Sequence, residues 1–181
     1  LAGCAKDPVR PLTDPVRWGT GGVDVALAWS RDGQWIAFRR MVPSAYGPPG
    51  MYVVHRTGAI VRRVSGPADL FFPREASFSP DGRFIVAVDF GRQLIIVNLA
   101  TLEVQRPLYT QGEVWYPDWS PDGRNILYKQ NSPGGPDSAG LMLFDVETAT
   151  RRPLCGWGSE PVLGSYARWS PDGRLIAMVE L

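Results

Sequence analysis

A five-residue motif recurs four times along this chain and limits its fold more than any other feature. It reads aromatic-Ser-Pro-Asp-Gly, and its copies are Trp29 to Gly33, Phe78 to Gly82, Trp119 to Gly123 and Trp169 to Gly173. The copies recur at intervals of about 40 to 50 residues, which is the length of a four-stranded propeller blade. The chain is therefore expected to be built from repeated antiparallel units.

The residue types within the motif predict a hairpin in every copy. Ser, Pro, Asp and Gly in this order suit a type I turn that is completed by a glycine at positive φ. Arg31 replaces proline in the first copy, and a type I turn tolerates that change. The repeat aspartates are interpreted as turn residues and the repeat aromatics as core anchors. These residues are Asp32, Asp81, Asp122 and Asp172, and Trp29, Phe78, Trp119 and Trp169.

Apolar, β-rich runs follow each turn and predict the remaining strands of each unit. The second strands are expected at residues 35–38, 84–88, 126–128 and 175–178, the third at 51–55, 94–98 and 141–145, and the fourth at 60–64, 104–108 and 150–154. Residues 9–13 resemble the fourth strands. No window free of Gly and Pro carries apolar residues at helical spacing, so the class is all-β.

The turn and the strand after it resemble the WD40-like repeat of TolB-type β-propellers, and the resemblance covers residues from about 12 to 181. It implies an all-β propeller of four-stranded antiparallel blades, of which about three and a half are present as an incomplete ring. Propellers of this kind occur as binding scaffolds, as gating domains of peptidases and in envelope proteins, so the fold alone does not decide the function.

The first four residues, Leu1 to Cys4, resemble the lipobox of bacterial lipoproteins. This resemblance implies a diacylglycerol on Cys4, a location outside the cytoplasm in the periplasm or at the cell surface, and a lipid anchor in the membrane. The alternative is that Cys4 is a free thiol or forms a disulfide, for which Cys155 is the only other cysteine.

These features predict the organisation of the chain. Residues 1–8 are a lipobox remnant with a short tether, and residues 9–181 form the propeller. Within the propeller, 9–25 is an outer strand with its connection, 26–65, 66–110 and 111–154 are three blades, and 155–181 is the first half of a fourth. The strand near residue 181 would be an unpaired edge, so the propeller is expected to continue beyond it.

Charge and motif content argue against several classes of function. The net charge is +1 and the arginines are scattered, which is unlike the basic face of a nucleic-acid reader. No run approaches the roughly 18 apolar residues of a spanning helix. His55 is the single histidine and no G-x-S-x-G occurs, so no catalytic residue, cofactor or metal site is predicted.

The segments that enter the innermost strands are the candidate binding site. They carry aromatic and charged residues, and in a propeller they reach one mouth of the central channel. The candidate partner-binding residues are Phe72, Arg74, Glu75, Trp115, Tyr116, Asp118, Tyr166 and Arg168.

The sequence thus predicts a non-catalytic propeller of a bacterial envelope lipoprotein that binds a protein or peptide at one channel mouth. Two alternatives stay open. The first is a propeller that gates substrate entry to a prolyl-oligopeptidase-like serine peptidase domain outside this sequence. The second is a rim of aromatics that binds a sugar or glycan.

Overall fold

The computed structural model describes residues 24–41, 48–58, 61–64, 75–89, 92–107, 112–131, 139–155 and 166–179. All regular structure in these ranges is β, arranged as three four-stranded antiparallel sheets and one two-stranded sheet. No helix long and apolar enough to span a membrane occurs in these ranges. The prediction of an all-β fold made of four-stranded antiparallel blades is confirmed. The predicted lipobox and the strand at residues 9–13 lie outside the described ranges.

Neighbouring strands in the sequence are neighbours in each sheet. The first sheet contains β1 (Asp24–Trp29), β2 (Trp35–Arg40), β3 (Gly50–His55) and β4 (Val61–Arg63). The second contains β5 (Ala76–Phe78), β6 (Phe84–Val88), β7 (Leu94–Asn98) and β8 (Val104–Gln105). The third contains β9 (Val114–Trp119), β10 (Asn125–Asn131), β11 (Ala139–Asp145) and β12 (Thr150–Cys155). The fourth contains β13 (Tyr166–Trp169) and β14 (Ile176–Val179).

The repeated motif forms the same hairpin in all four sheets. In the third sheet, the Ser120 hydroxyl donates to Asp122 Oδ1 at 2.6 Å and accepts the backbone N–H of Asn125 at 2.8 Å. Equivalent bonds recur in the other copies. The repeat glycines have φ between 66° and 77°, a conformation that only glycine adopts without strain. The predicted turn geometry is therefore confirmed.

The hairpins converge at one end of the central channel, which we name the hairpin mouth. The guanidinium of Arg31 donates to the carbonyl oxygens of Pro121 at 3.0 Å and Pro171 at 3.2 Å, and so links the first sheet to the third and fourth. A Cβ placed on Gly173 would lie 3.6 Å from the Pro121 ring, so these two turns are in contact. Arginine at position 31 thus makes inter-sheet hydrogen bonds that a proline side chain cannot donate, whereas Pro121 contacts the next hairpin by packing alone.

Apolar side chains from adjacent sheets form the core. Phe78 and Trp119 are buried because each packs on the sheet that precedes its own. Trp29 is 58% exposed, so the prediction that it anchors the core is wrong for the described structure. The physical reason is that no described sheet precedes the first one. Trp169 is partly buried against the third sheet.

Candidate binding site at the entry mouth

The innermost strands β1, β5, β9 and β13 lie side by side around the channel. Each of them ends at its hairpin, so their first residues lie at the opposite end, which we name the entry mouth. Glu75, Trp115, Tyr116 and Tyr166 are at or next to these strand starts. Phe72 and Arg74, like Cys4, lie outside the described residues. Four of the six candidate residues that the structure describes therefore lie at this mouth, whereas Asp118 and Arg168 lie further along β9 and β13.

The three described aromatic residues of the site belong to strands β9 and β13 and not to the connections before them, which corrects the sequence interpretation for Trp115, Tyr116 and Tyr166. Trp115 pairs with Lys129, and Asp118 pairs with Leu127. Two residues, Tyr116 and Pro117, therefore stand opposite one, which is a β-bulge. Pro117 is one cause of this bulge, because proline has no backbone N–H to donate to the neighbouring strand.

The bulge places Tyr116 in an uncommon backbone conformation, with φ at 55°. For a bulky residue this conformation is unfavourable by about 1 to 3 kcal/mol, and it is concentrated at functional sites. Its ring centroid lies 4.4 Å from that of Tyr166 on the fourth sheet and 6.1 Å from that of Trp115. Tyr166 is 46% exposed. The bulge thus helps to form an aromatic cluster across two sheets, which we name the aromatic rim (Trp115, Tyr116 and Tyr166).

Charged groups flank the aromatic rim. The guanidinium carbon of Arg92 lies 4.5 Å from the centroid of the Trp115 ring, and Arg92 also forms an ion pair with Glu113. Arg168 of β13 forms a 2.5 Å ion pair with Glu75, which precedes β5. This second pair joins the fourth sheet to the second, past the intervening β9. Aromatic rings bordered by cations and carboxylates make this mouth suited to an amphipathic partner.

Asp118 has a different place from the other candidates, because its carboxylate is occupied by the neighbouring sheets. Its Oδ2 accepts the backbone N–H of Trp169 at 2.8 Å, and its Oδ1 accepts the Ser77 hydroxyl at 3.2 Å. Burial raises the pKa of Asp118, opposed by the Trp169 N–H, the charge of Arg168 and the Ser77 hydrogen bond. Asp118 therefore joins the innermost strands together.

Ser77 of the second sheet links its strand to the next innermost strand, as Asp118 does in the third sheet. Ser77 was not identified from the sequence. Its hydroxyl accepts the backbone N–H of Trp119 at 3.1 Å. Ser77 and Asp118 both stand immediately before a repeat aromatic residue. A polar residue at that position of the repeat is the signal by which the sequence could have revealed these links.

The single histidine of the chain lies away from this mouth. His55 ends β3 beside Trp35, on the side of the hairpins, and its Nδ1 lies 2.8 Å from the Thr57 hydroxyl. In the part of the chain that the structure describes, no group of three or more His, Cys, Asp or Glu side chains is arranged to hold a metal ion.

The repeated four-stranded antiparallel sheets place the fold among the β-propellers. Comparison with solved structures shows which kind of β-propeller the fold resembles. The chain is similar to TolB from Acinetobacter baumannii, with a TM-score of 0.67, 21% identity and coverage of 88% of this chain and 38% of that one. It is similar to a putative TolB from Agrobacterium tumefaciens, with a TM-score of 0.66, 19% identity and coverage of 88% and 60%. Its fold is therefore TolB-like, as the repeat predicted.

A third similar structure is that of an enzyme, an oligogalacturonate lyase in complex with manganese. Its TM-score is 0.56 at 19% identity, with coverage of 71% of this chain and 38% of that one. No protein-family model and no curated protein matches the chain. The chain spans less than two thirds of the length of each of these three solved proteins.

Proposed function

We propose that this propeller is a non-catalytic binding module that takes a protein or peptide partner at the entry mouth. The observation that carries the proposal is the aromatic rim, in which a strained Tyr116 lies 4.4 Å from a half-exposed Tyr166. Aromatic side chains bordered by charged groups are the residues that most often dominate protein interfaces. Unfavourable backbone geometry that is retained beside such a cluster supports a role in binding.

The channel contacts favour binding at the mouth over passage through the ring, which a peptidase-gating propeller would need. Arg31 reaches across the hairpin mouth to the third and fourth sheets. The pair of Arg168 with Glu75 joins the fourth sheet to the second. We take these two side-chain contacts between sheets as support for a partner that stays at the mouth. A net charge of +1 without a basic block gives no support for a nucleic-acid partner.

The first test is to select peptides from a random displayed library on the intact chain and to measure their affinity for variants. Tyr166→Ala is expected to weaken the selected peptides about thirtyfold or more, because truncation of a hot-spot aromatic removes about 2 kcal/mol or more. Leu175→Ala is the matched control, since Leu175 is also exposed but lies by a hairpin. Peptides that respond to Leu175→Ala and not to Tyr166→Ala would contradict the proposal, and preferential selection of glycans in a parallel array would favour the glycan alternative.

We further propose that the module is held at a bacterial membrane outside the cytoplasm by a lipid on Cys4. The support is the sequence Leu1 to Cys4, which resembles a lipobox. One acyl chain binds membranes only marginally, whereas two chains give stable anchoring, and a diacylglycerol supplies two.

Lipidation predicts a change in fractionation that depends on one side chain. Expressed in bacteria behind a lipoprotein leader, the chain is expected to sediment with membranes, and Cys4→Ala is expected to move it to the soluble fraction. Cys155→Ala is the control, because it removes the other thiol and leaves the lipobox intact. An unmodified Cys4 in the mass spectrum of the mature protein would refute the anchor.

A further inference from the structure

A groove of about 430 Å³ lies between the second and third sheets, beside their hairpins and at the other end of the channel from the aromatic rim. Its volume falls within the range of about 300 to 1,000 Å³ that is usual for ligand sites. The hairpin residues Pro80 and Gly123 border it, and Ile96 and Val146 belong to its apolar wall. The groove is separate from the proposed partner site and does not depend on it.

Two stacked aromatic rings are among the apolar residues that line the groove. Phe84 of the second sheet and Trp119 of the third stack with their centroids 6.3 Å apart and their planes 26° from parallel. The guanidinium carbon of Arg83 lies 5.7 Å from the centroid of the Phe84 ring. The protein itself thus places a cation against this ring, as the quadrupole of an aromatic face favours.

Two carboxylates border the same groove, Asp81 from the second hairpin and Asp122 from the third. In each, Oδ1 accepts the hydrogen bonds that hold the turn, while no hydrogen bond among the described residues engages Oδ2. The Ser120 hydrogen bond lowers the pKa of Asp122. Burial acts to raise the pKa of Asp81, but the hydrogen bonds from Ser79 and from the Arg83 backbone lower it on balance. Both groups are therefore anionic at neutral pH.

We propose that this groove binds a peptide through a lysine or arginine side chain, whose stem lies on Phe84 and Trp119 and whose charge pairs with Asp81 and Asp122. Long basic side chains combine an apolar stem with a cationic end, which matches an apolar wall with an anionic rim. Arg83 and Arg124 are exposed next to the two carboxylates, but neither lines the groove. The amide of Gln105, an exposed rim residue, adds a further hydrogen-bonding group.

The test uses the peptide acetyl-Leu-Arg-Leu-amide and its analogue with citrulline, which has nearly the shape of arginine without its charge. Binding to the intact chain is followed by nuclear magnetic resonance. The reporter is the indole N–H of Trp119, which donates to the Gly123 carbonyl oxygen at 3.1 Å beside the groove. The arginine peptide is expected to shift this signal and to bind about fivefold tighter than the citrulline peptide, which is the factor that an exposed charge pair supplies at its upper limit. Equal affinity of the two peptides would overturn the proposal.

Two variants distinguish a loss of charge in the groove from a loss of the turn hydrogen bonds. Asp122→Asn is expected to weaken the arginine peptide about twofold, because Asp81 keeps its share of the charge pairing, and to leave the citrulline peptide unchanged. Asp172→Asn is the matched control, because Asp172 makes the same turn hydrogen bonds in the fourth hairpin but does not line the groove. An equal loss of affinity in both variants would show that the effect comes from the turn, and would refute the proposal.

A third variant leaves both hairpins intact. Gln105→Arg places a guanidinium of the protein itself at the rim, so it is expected to weaken the arginine peptide several-fold by occupying the groove. Unchanged affinity in this variant would count against the groove as the site. Loss of binding in Tyr166→Ala with no effect of Asp122→Asn would assign the arginine peptide to the entry mouth, and would overturn this proposal while leaving the proposed function standing.

Discussion

Phe144→Ala is expected to lower the free energy of unfolding by about 3 to 5 kcal/mol, the range that is usual for truncating a buried phenylalanine. Phe144 lies on β11 and is 1% exposed. It belongs to a cluster to which both the second and the third sheets contribute, with Ile96 and Val86 on one side and Ile126 and Tyr128 on the other. The substitution therefore leaves a cavity between two sheets, and neither sheet can close it alone.

Urea unfolding followed by tryptophan fluorescence measures this loss, and Trp119 of the same cluster is one of the seven tryptophans that contribute to the signal. Leu175→Ala is the control, because Leu175 is an apolar residue of the repeat that is 71% exposed. Its substitution is expected to change stability by no more than about 0.5 kcal/mol. A loss at Phe144 below about 1 kcal/mol would contradict this account of the core, since cavities between rigidly packed sheets are not so readily filled.

Local signals in the sequence were sufficient to predict most of the fold. The turn motif depends on the hydrogen bonds of its own Ser and Asp side chains and on a glycine at positive φ, so five residues contain the information for one hairpin. The β-rich runs after each turn predicted β2, β3 and their counterparts, because they are continuous and apolar on both faces.

Features that depend on neighbouring sheets were not predictable in the same way. Trp29 and Trp119 occupy the same position of the repeat, yet the first is exposed and the second is buried, because a described sheet precedes only the sheet of Trp119. Arg31 was interpreted only as a tolerated substitution, since its two acceptors lie 90 and 140 residues away in the sequence. The pairing of strands within one sheet depends on residues that are close in the sequence. Contacts across the channel depend instead on how the sheets are arranged.

The candidate site also has features that local sequence signals predict and features that depend on neighbouring sheets. Aromatic and charged residues before the repeat motif indicated which residues would meet at the entry mouth. The bulge at Tyr116 and the occupied carboxylate of Asp118 were missed, because the first depends on the pairing of β9 with β10 and the second on two other sheets. Residues of the candidate site can therefore differ in role: the Tyr166 side chain is exposed, whereas the Asp118 carboxylate accepts hydrogen bonds from neighbouring strands.

Asp118→Ala is expected to lower the free energy of unfolding by about 2 kcal/mol, within the range of about 1.5 to 3 kcal/mol that is usual for hydrogen bonds to charged groups. The alanine removes the acceptor of the Trp169 N–H and the acceptor of the Ser77 hydroxyl, so two strand junctions around the channel lose a link. Asp118→Asn is the matched control, because its amide oxygen can still accept the Trp169 N–H and the residue volume is kept. It is expected to lose less than half as much stability, as measured by urea unfolding at pH 7.

The pH dependence of the same two proteins tests whether Asp118 acts as a buried carboxyl. Burial raises the pKa of Asp118 above its ordinary value of 3.8, so the folded state binds this proton more tightly than the unfolded chain does. The stability of the natural protein relative to Asp118→Asn is therefore expected to rise as the pH falls through the raised pKa, and to level off below about 3.8, the unfolded value. The turn carboxylates such as Asp122 have lowered pKa values and act in the opposite direction, but they are present in both proteins and cancel in the difference. A difference that falls with decreasing pH would show that the carboxylate is stabilised by its partners more than it is penalised by burial, and would overturn this assignment.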